Sequence, residues 1–148
     1  MRIGVELVIL FCDTSALMKL LVVEAHSDQM WQVGTDAQAI GVCRISWAES
    51  MAALARRQRE DPISSEDLDQ ARQSLIQCWQ SFTIVEVSQP LVESAGRFAD
   101  VFVLRGFDSL QLAAAHELHN KAEQPVLFAS YDRRLNLAAQ LLQLEVLP

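Results

Sequence analysis

Apolar residues occur along this chain in two kinds of run, one short and unbroken, the other longer and helically spaced. Residues 5–12 are apolar and rich in β-branched side chains except at Glu6, a pattern typical of a strand buried on both faces. Similar short runs predict strands over residues 39–43, 82–87 and 125–129, with 144–147 as a candidate last strand. Each of these runs is too short for a helix of average length.

The helically spaced runs lie between the predicted strands. They predict helices over residues 14–24, 26–33, 46–60, 64–80, 90–104, 108–122 and 132–142. Short apolar strands that alternate with helices favour an α/β fold. We therefore expect a central, mostly parallel sheet of four to five strands with helices on both faces. Residues 1–148 are predicted to form a single domain.

Charge and cysteine content narrow the classes of function. The net charge of −7 argues against a broad basic face for nucleic acid, although it is compatible with a nuclease whose acids are concentrated in a metal site. Cys12, Cys43 and Cys78 are widely spaced among apolar neighbours, which predicts buried thiols in a reducing compartment. No apolar stretch reaches the roughly 18 residues of a membrane span. We expect a cytoplasmic protein without a membrane partner.

Four acidic residues stand at the beginnings of predicted helices. Asp13 directly follows the first strand, Asp132 lies just past strand 125–129, and Glu49 is in the first helical turn after strand 39–43. Asp108 opens the alanine-rich helix. Parallel α/β sheets bind ligands at the carboxyl ends of their strands, so we expect these acids to share one edge of the sheet.

Clustered carboxylates repel one another, and a divalent cation such as Mg²⁺ removes that penalty. Bound cations make a water a stronger nucleophile for in-line attack on a phosphodiester, and a second cation would stabilise the leaving oxygen. Ser15 and Ser130 lie two residues from Asp13 and Asp132, where their hydroxyls can orient a ligand or water.

Each acid taken alone also has a structural interpretation. Asp is among the best N-cap residues, so Asp13, Asp108 and Asp132 can each be a helix cap. Residues 46–49 match a capping box, in which the Glu49 carboxylate would bond the backbone N–H of Ser46. For a single residue capping is the stronger interpretation, whereas the order and neighbours of all four favour a shared site.

The segments around the acids resemble those of the PIN-domain ribonucleases, and most closely the VapC-type toxins of toxin–antitoxin pairs. The matching stretches are CDTSALMKL at 12–20, ISWAE at 45–49, FDSLQLAAA at 107–115 and FASYDRRLN at 128–136, followed by the alanines 138 and 139. The resemblance implies a PIN-like fold and an endoribonuclease that depends on Mg²⁺ or Mn²⁺. It also implies homodimerisation and a cognate antitoxin that binds over the active site.

Carried over by position, the resemblance implies that Asp13, Glu49 and Asp108 are core metal ligands and that Asp132 is a fourth, more variable acid. Ser130 matches a hydroxyl position of the family. The sequence departs from the family in a longer lead-in before Asp13 and in Gln111, where the family often has histidine. Neither departure is expected to touch a ligand.

Other functions remain open at this stage. A phosphotransfer protein also places an aspartate after a parallel strand, but such enzymes usually carry a second acid where Ser15 stands here, and no glycine-rich phosphate loop occurs. A catalytically silent PIN-like binding module and a PIN nuclease of RNA processing are the nearer alternatives. We predict a metal-dependent endoribonuclease that acts on RNA as a toxin.

Overall fold

A computed structural model describes residues 7–148 of the chain. The predicted first strand, over 5–12, therefore lies partly outside the described residues. The strands are β1 (Ile9–Cys12), β2 (Ala39–Cys43), β3 (Thr83–Val85), β4 (Val126–Ala129) and β5 (Glu145–Val146). The α-helices are α1 (Thr14–Leu21), α2 (Ser27–Asp36), α3 (Ser46–Glu60), α4 (Ser65–Trp79), α5 (Gln89–Phe102), α6 (Gly106–Lys121) and α7 (Arg133–Leu141). A short 3₁₀ turn, Pro62–Ser64, precedes α4.

The strands form one parallel sheet in the order β3-β2-β1-β4-β5. β1 lies in the centre, and the chain extends the sheet first through β2 and β3 and later through β4 and β5. The winding therefore reverses between β1 and β4, which is the position where open α/β sheets bind ligands. The predicted α/β fold with a parallel sheet of four to five strands is confirmed.

The central strands are buried on both faces, which explains their unbroken apolar runs. In β1, Ile9 and Phe11 pack into a core formed with α5, α6 and α7, while Leu10 and Cys12 pack into a second core formed with α1, α2 and α4. Across the sheet, the ring of Phe11 stacks at 6.0 Å on that of Phe128 in β4. Helices thus cover both faces, as expected.

Close packing against β2 fixes the position of α6. A Cβ atom added at Gly41 would lie 2.7 Å from Cδ2 of Leu118, so a larger residue here would require the Leu118 side chain to move. The alanines 113–115 are buried on the same helix. α6 therefore packs closely against the sheet, and Asp108 lies in its first turn.

Several element ends differ from the sequence prediction. The first helix stops at Leu21 instead of residue 24, because the backbone of Val22 is extended; the Val22 N–H makes the last helical bond, to the Met18 carbonyl. The second helix begins at Ser27 and continues to Asp36, three residues beyond its predicted end. At the sheet edges, β3 and β5 are shorter than predicted.

The start of α6 differs in a way that affects the site. The sequence predicts a helix beginning at Asp108, but α6 begins at Gly106, and Asp108 is its third residue. The backbone of Arg105 is extended, so the break in helical conformation falls before the glycine. Within the described part of the chain, no helix has the length and apolar character to cross a membrane.

Candidate active site

Asp13 lies at the carboxyl end of β1 and caps α1. Its backbone N–H bonds the Ala129 carbonyl at the end of β4, at 3.1 Å, which joins the two strand ends. Its Oδ1 accepts hydrogen bonds from the Ala16 N–H at 2.9 Å and from the Ser15 hydroxyl at 2.6 Å. The side chain is only 5% exposed. Asp13 is therefore a helix cap that is also almost fully buried.

Burial governs the protonation of Asp13. The pKa of Asp13 is raised overall from 3.8 to about 6. Removal from water is the largest cause, and the nearby charge of Asp108 also raises the pKa. Hydrogen bonds from Ser130, Ser15 and the Ala16 N–H act in the opposite direction. The buried charge is thus only partly compensated by these donors.

Ser130 and Asp132 follow β4 on the other side of the switch point. Asp132 caps α7 by accepting the Leu135 N–H at 3.1 Å, and its side chain is exposed. The Ser130 hydroxyl accepts the N–H of Asp132 at 3.1 Å and lowers the pKa of Asp13, so it lies close to both acids. Ser15 bridges the same gap from α1, because its hydroxyl accepts the Tyr131 N–H at 3.0 Å.

Asp108 is half-buried in the first turn of α6 and does not cap it. The N-cap position belongs to Arg105, which makes no capping hydrogen bond, so the interpretation of Asp108 as a cap is wrong. Burial raises the pKa of Asp108, the charge of Asp132 raises it further, and Arg105 lowers it. Asp108 is therefore coupled electrostatically to both Asp13 and Asp132.

Glu49 is joined to this group through hydrogen bonds. Its Oε1 accepts the Thr14 hydroxyl at 2.8 Å and the Gln111 amide at 2.9 Å. The helix to which Glu49 belongs has Ile45 at its N-cap, without a side-chain bond. The capping-box interpretation is therefore wrong, since the carboxylate bonds α1 and α6 instead of its own helix end. Thr14 directly follows Asp13, so Glu49 lies beside the first acid.

Gln111 was missed by the sequence reasoning as a contact of the site. Its Nε2 lies 2.9 Å from Oε1 of Glu49, 2.9 Å from Oγ of Ser46 and 3.3 Å from Oγ1 of Thr14. The expectation that the change from histidine to Gln111 touches no expected ligand is wrong. A signal was present, because Gln111 lies three residues after Asp108 and so shares its helix face.

The geometry agrees with a comparison to known families. The family model for the PIN domain matches residues 10–141. This chain belongs to the PIN-domain family. The match covers all four acids and every strand of the described sheet except β5.

Curated relatives and solved structures extend this result for the PIN-domain chain. Ribonuclease VapC45 and ribonuclease VapC49, from Mycobacterium tuberculosis strains CDC 1551 / Oshkosh and H37Rv, are each 28% identical over 140 residues, which is 95% of this chain and of theirs. PAE2754 from Pyrobaculum aerophilum matches at TM-score 0.57 and 19% identity over 94% of this chain and 83% of its own. A toxin–antitoxin complex from Klebsiella pneumoniae matches at TM-score 0.59 and 19% identity, over 84% and 86%. These structures share the fold.

The PIN-domain acids suit a divalent cation by their chemistry. All offer carboxylate oxygen, the donor that Mg²⁺ and Mn²⁺ prefer. Burial and the charge of Asp108 raise the pKa of Asp13, which is the strain that a cation relieves. As the side chains stand, no three His, Cys, Asp or Glu groups within residues 7–148 are close enough to hold an ion. Binding therefore requires at least some of the carboxylates to turn toward a common centre.

An apolar groove of about 420 Å³ adjoins the site between α5 and α6. Val92, Ala95, Gly96 and Ala99 line it from α5, opposite Phe107 and Leu110 on α6. Phe107 is 59% exposed and directly precedes Asp108. The groove is therefore lined by the residues on either side of Asp108 in the chain, Phe107 and Ser109.

Proposed function

We propose that this PIN-domain protein is a metal-dependent endoribonuclease and the toxin of a toxin–antitoxin pair. One observation carries the proposal: at the switch point the charge of Asp108 acts on Asp13 and that of Asp132 acts on Asp108, and Glu49 accepts a hydrogen bond from Thr14, the residue after Asp13. The family and the ribonucleases related to this chain support the same chemistry.

In this proposal Asp13, Glu49 and Asp108 are the core catalytic metal ligands, and Asp132 is the fourth. The cofactor is Mg²⁺, with Mn²⁺ as a substitute. When bound, the cation would act as a Lewis acid and make water a stronger nucleophile toward an RNA phosphodiester. Ser15 and Ser130 keep the Asp13 carboxylate in place through hydrogen bonds. Thr14 and Gln111 do the same for Glu49.

The proposed partners are RNA as substrate, a cognate antitoxin and a second copy of the chain in a homodimer. For the antitoxin, the groove between α5 and α6 is the contact surface that we propose, because its apolar walls reach Phe107 beside Asp108. The solved toxin–antitoxin complex with the same fold supports a protein partner. We propose the cytoplasm as the site of action.

The deciding experiment compares wild type with Asp13→Asn on end-labelled RNA in Mg²⁺. We expect Asp13→Asn to lower the cleavage rate at least about 1,000-fold, or roughly 4 kcal/mol of activation free energy. Asp100→Asn, an exposed residue on α5, is the matched control and should cleave normally. Equal cleavage by the Asp13→Asn protein, purified in parallel, would refute the proposed mechanism.

A further inference from the structure

Gln111 is a buried amide at the centre of the acidic site. Its side chain is 2% exposed, and its Nε2 contacts the segments that carry Asp13 and Glu49, while Asp108 lies on the same helix as Gln111. An amide nitrogen has two hydrogens. The two contacts of 2.9 Å, to Glu49 Oε1 and Ser46 Oγ, account for both of them, and the longer contact to Thr14 is secondary.

The orientation of this amide is fixed by Glu49. Turning the amide over would bring its carbonyl oxygen against the Glu49 carboxylate, and two acceptors repel. In the present orientation Oε1 of Gln111 is buried and has no hydrogen-bond partner within the described chain. An unpartnered buried acceptor costs stability, so packing alone would favour an apolar side chain at this position.

We propose that Gln111 is a positioning residue that holds Glu49 by Oε1 and so leaves Oε2 available to a cation. The inference rests on the proposed function of the site. A glutamate carboxylate has three side-chain torsions above its backbone, and restraining them beforehand reduces the entropy lost when it binds a metal. Because α6 carries both Asp108 and Gln111, this helix contributes one proposed ligand, Asp108, and orients a second one, Glu49.

The test replaces Gln111 with methionine, which has a similar size and flexibility but no amide hydrogens. Mn²⁺ binding is measured by electron paramagnetic resonance on wild type, Gln111→Met, Gln111→Asn and Gln111→His. Loss of a hydrogen bond to a ligand weakens metal affinity about 10–100-fold, and we expect that loss in the methionine and asparagine variants. Histidine also offers an N–H donor, and we expect it to restore binding to within about threefold of wild type.

Two controls separate positioning from general damage. Gln73→Met makes the same change on the exposed face of α4 and should leave Mn²⁺ affinity unchanged. Thermal unfolding of each variant reports whether the fold survives, and Gln111→Asn replaces Gln111→Met if the latter fails to fold. Wild-type affinity in a folded Gln111→Met or Gln111→Asn protein overturns the proposal, as does failure of histidine to restore binding.

Metal-free crystal structures distinguish this proposal from the proposed function. In Gln111→Met, we expect the Glu49 carboxylate to leave its wild-type position or to occupy several rotamers. A single, unmoved Glu49 rotamer in the variant overturns the positioning role, even if wild type binds Mn²⁺ and cleaves RNA. If wild type binds no Mn²⁺, the metal-dependent function fails, and the metal-free structures still decide whether Gln111 positions Glu49.

Discussion

The four acids form two pairs that differ in what they do for their own helices. Asp13 and Asp132 cap α1 and α7, each by accepting the backbone N–H three residues ahead. Glu49 and Asp108 lie in the first turns of α3 and α6 and cap neither. Helix capping therefore explains the location of the first pair but leaves the second pair unexplained.

The comparison shows which residues carry the functional inference. The carboxylate of Glu49 bonds α1 and α6, and the charge of Asp132 lies close to Asp108, although neither arrangement provides a capping bond to its own helix. The capping pair also differs internally, because Asp13 is buried and Asp132 is exposed. Burying the charge of a capping residue does not strengthen the cap. Helix capping therefore does not explain the burial of Asp13, just as it does not explain the positions of Glu49 and Asp108.

Changes in the pair that does not cap should slow cleavage as much as Asp13→Asn does, which is the largest effect expected. Glu49→Gln and Asp108→Asn each remove one charge, and we expect at least about 1,000-fold slower RNA cleavage, or roughly 4 kcal/mol. Neither change removes a capping bond, so the loss of stability should be confined to the interaction with the helix dipole, at most about 1 kcal/mol. Glu93→Gln on the exposed side of α5 is the control. Normal cleavage by either site variant would mean that its acid has no part in the reaction.

Asp13 should reveal its buried charge in the pH dependence of stability without metal. The folded protein binds this proton more tightly than an ordinary aspartate does, with a pKa of about 6 in place of 3.8. The bound proton therefore stabilises the folded protein fully below pH 3.8, and this stabilisation is lost as the pH rises through 6. A difference of roughly two pKa units corresponds to about 3 kcal/mol.

Asn caps helices as well as Asp does but carries no charge. In EDTA, we expect Asp13→Asn to be equal to wild type near pH 4 and more stable near pH 8, by up to about 3 kcal/mol in urea unfolding. Mg²⁺ at pH 8 should then stabilise wild type and leave the variant unchanged. If the unfolding free energies of wild type and Asp13→Asn stay parallel between pH 4 and 8, burial of the Asp13 charge does not destabilise the folded protein.

The sheet could be predicted because its cause is local in sequence. Each central strand is buried on both faces, and an unbroken apolar run records that burial directly. The end of α1 could not be predicted in this way. Glu24 pairs with Lys19 and also with Arg57, which is 33 residues away, so its place outside the helix depends on a contact between elements.

In the site, too, local sequence predicted some features, and contacts between distant residues determined the others. Asp13 and Asp132 could be located because each follows a strand, and parallel strands end at one edge. The surroundings of Glu49 could not, since its partners Thr14 and Gln111 are 35 and 62 residues away. The local match to a capping box suggested a different partner for the same carboxylate. Pattern thus located the acids, whereas their orientation required the packed structure.

The smallest expected effect is on stability, and it separates helix capping by Asp132 from a role of Asp132 in RNA cleavage. Asp132→Ala removes the cap of α7 and should cost about 1 kcal/mol of unfolding free energy, whereas Asp132→Asn should cost only a few tenths. Both remove the charge, so both should slow RNA cleavage if Asp132 is the fourth ligand. Ser88→Ala is the matched control, because Ser88 caps α5 through the Leu91 N–H, outside the acidic cluster. It should lose stability as Asp132→Ala does and keep full activity. If Asp132→Asn also keeps full activity, Asp132 is a cap alone, and the site is reduced to Asp13, Glu49 and Asp108.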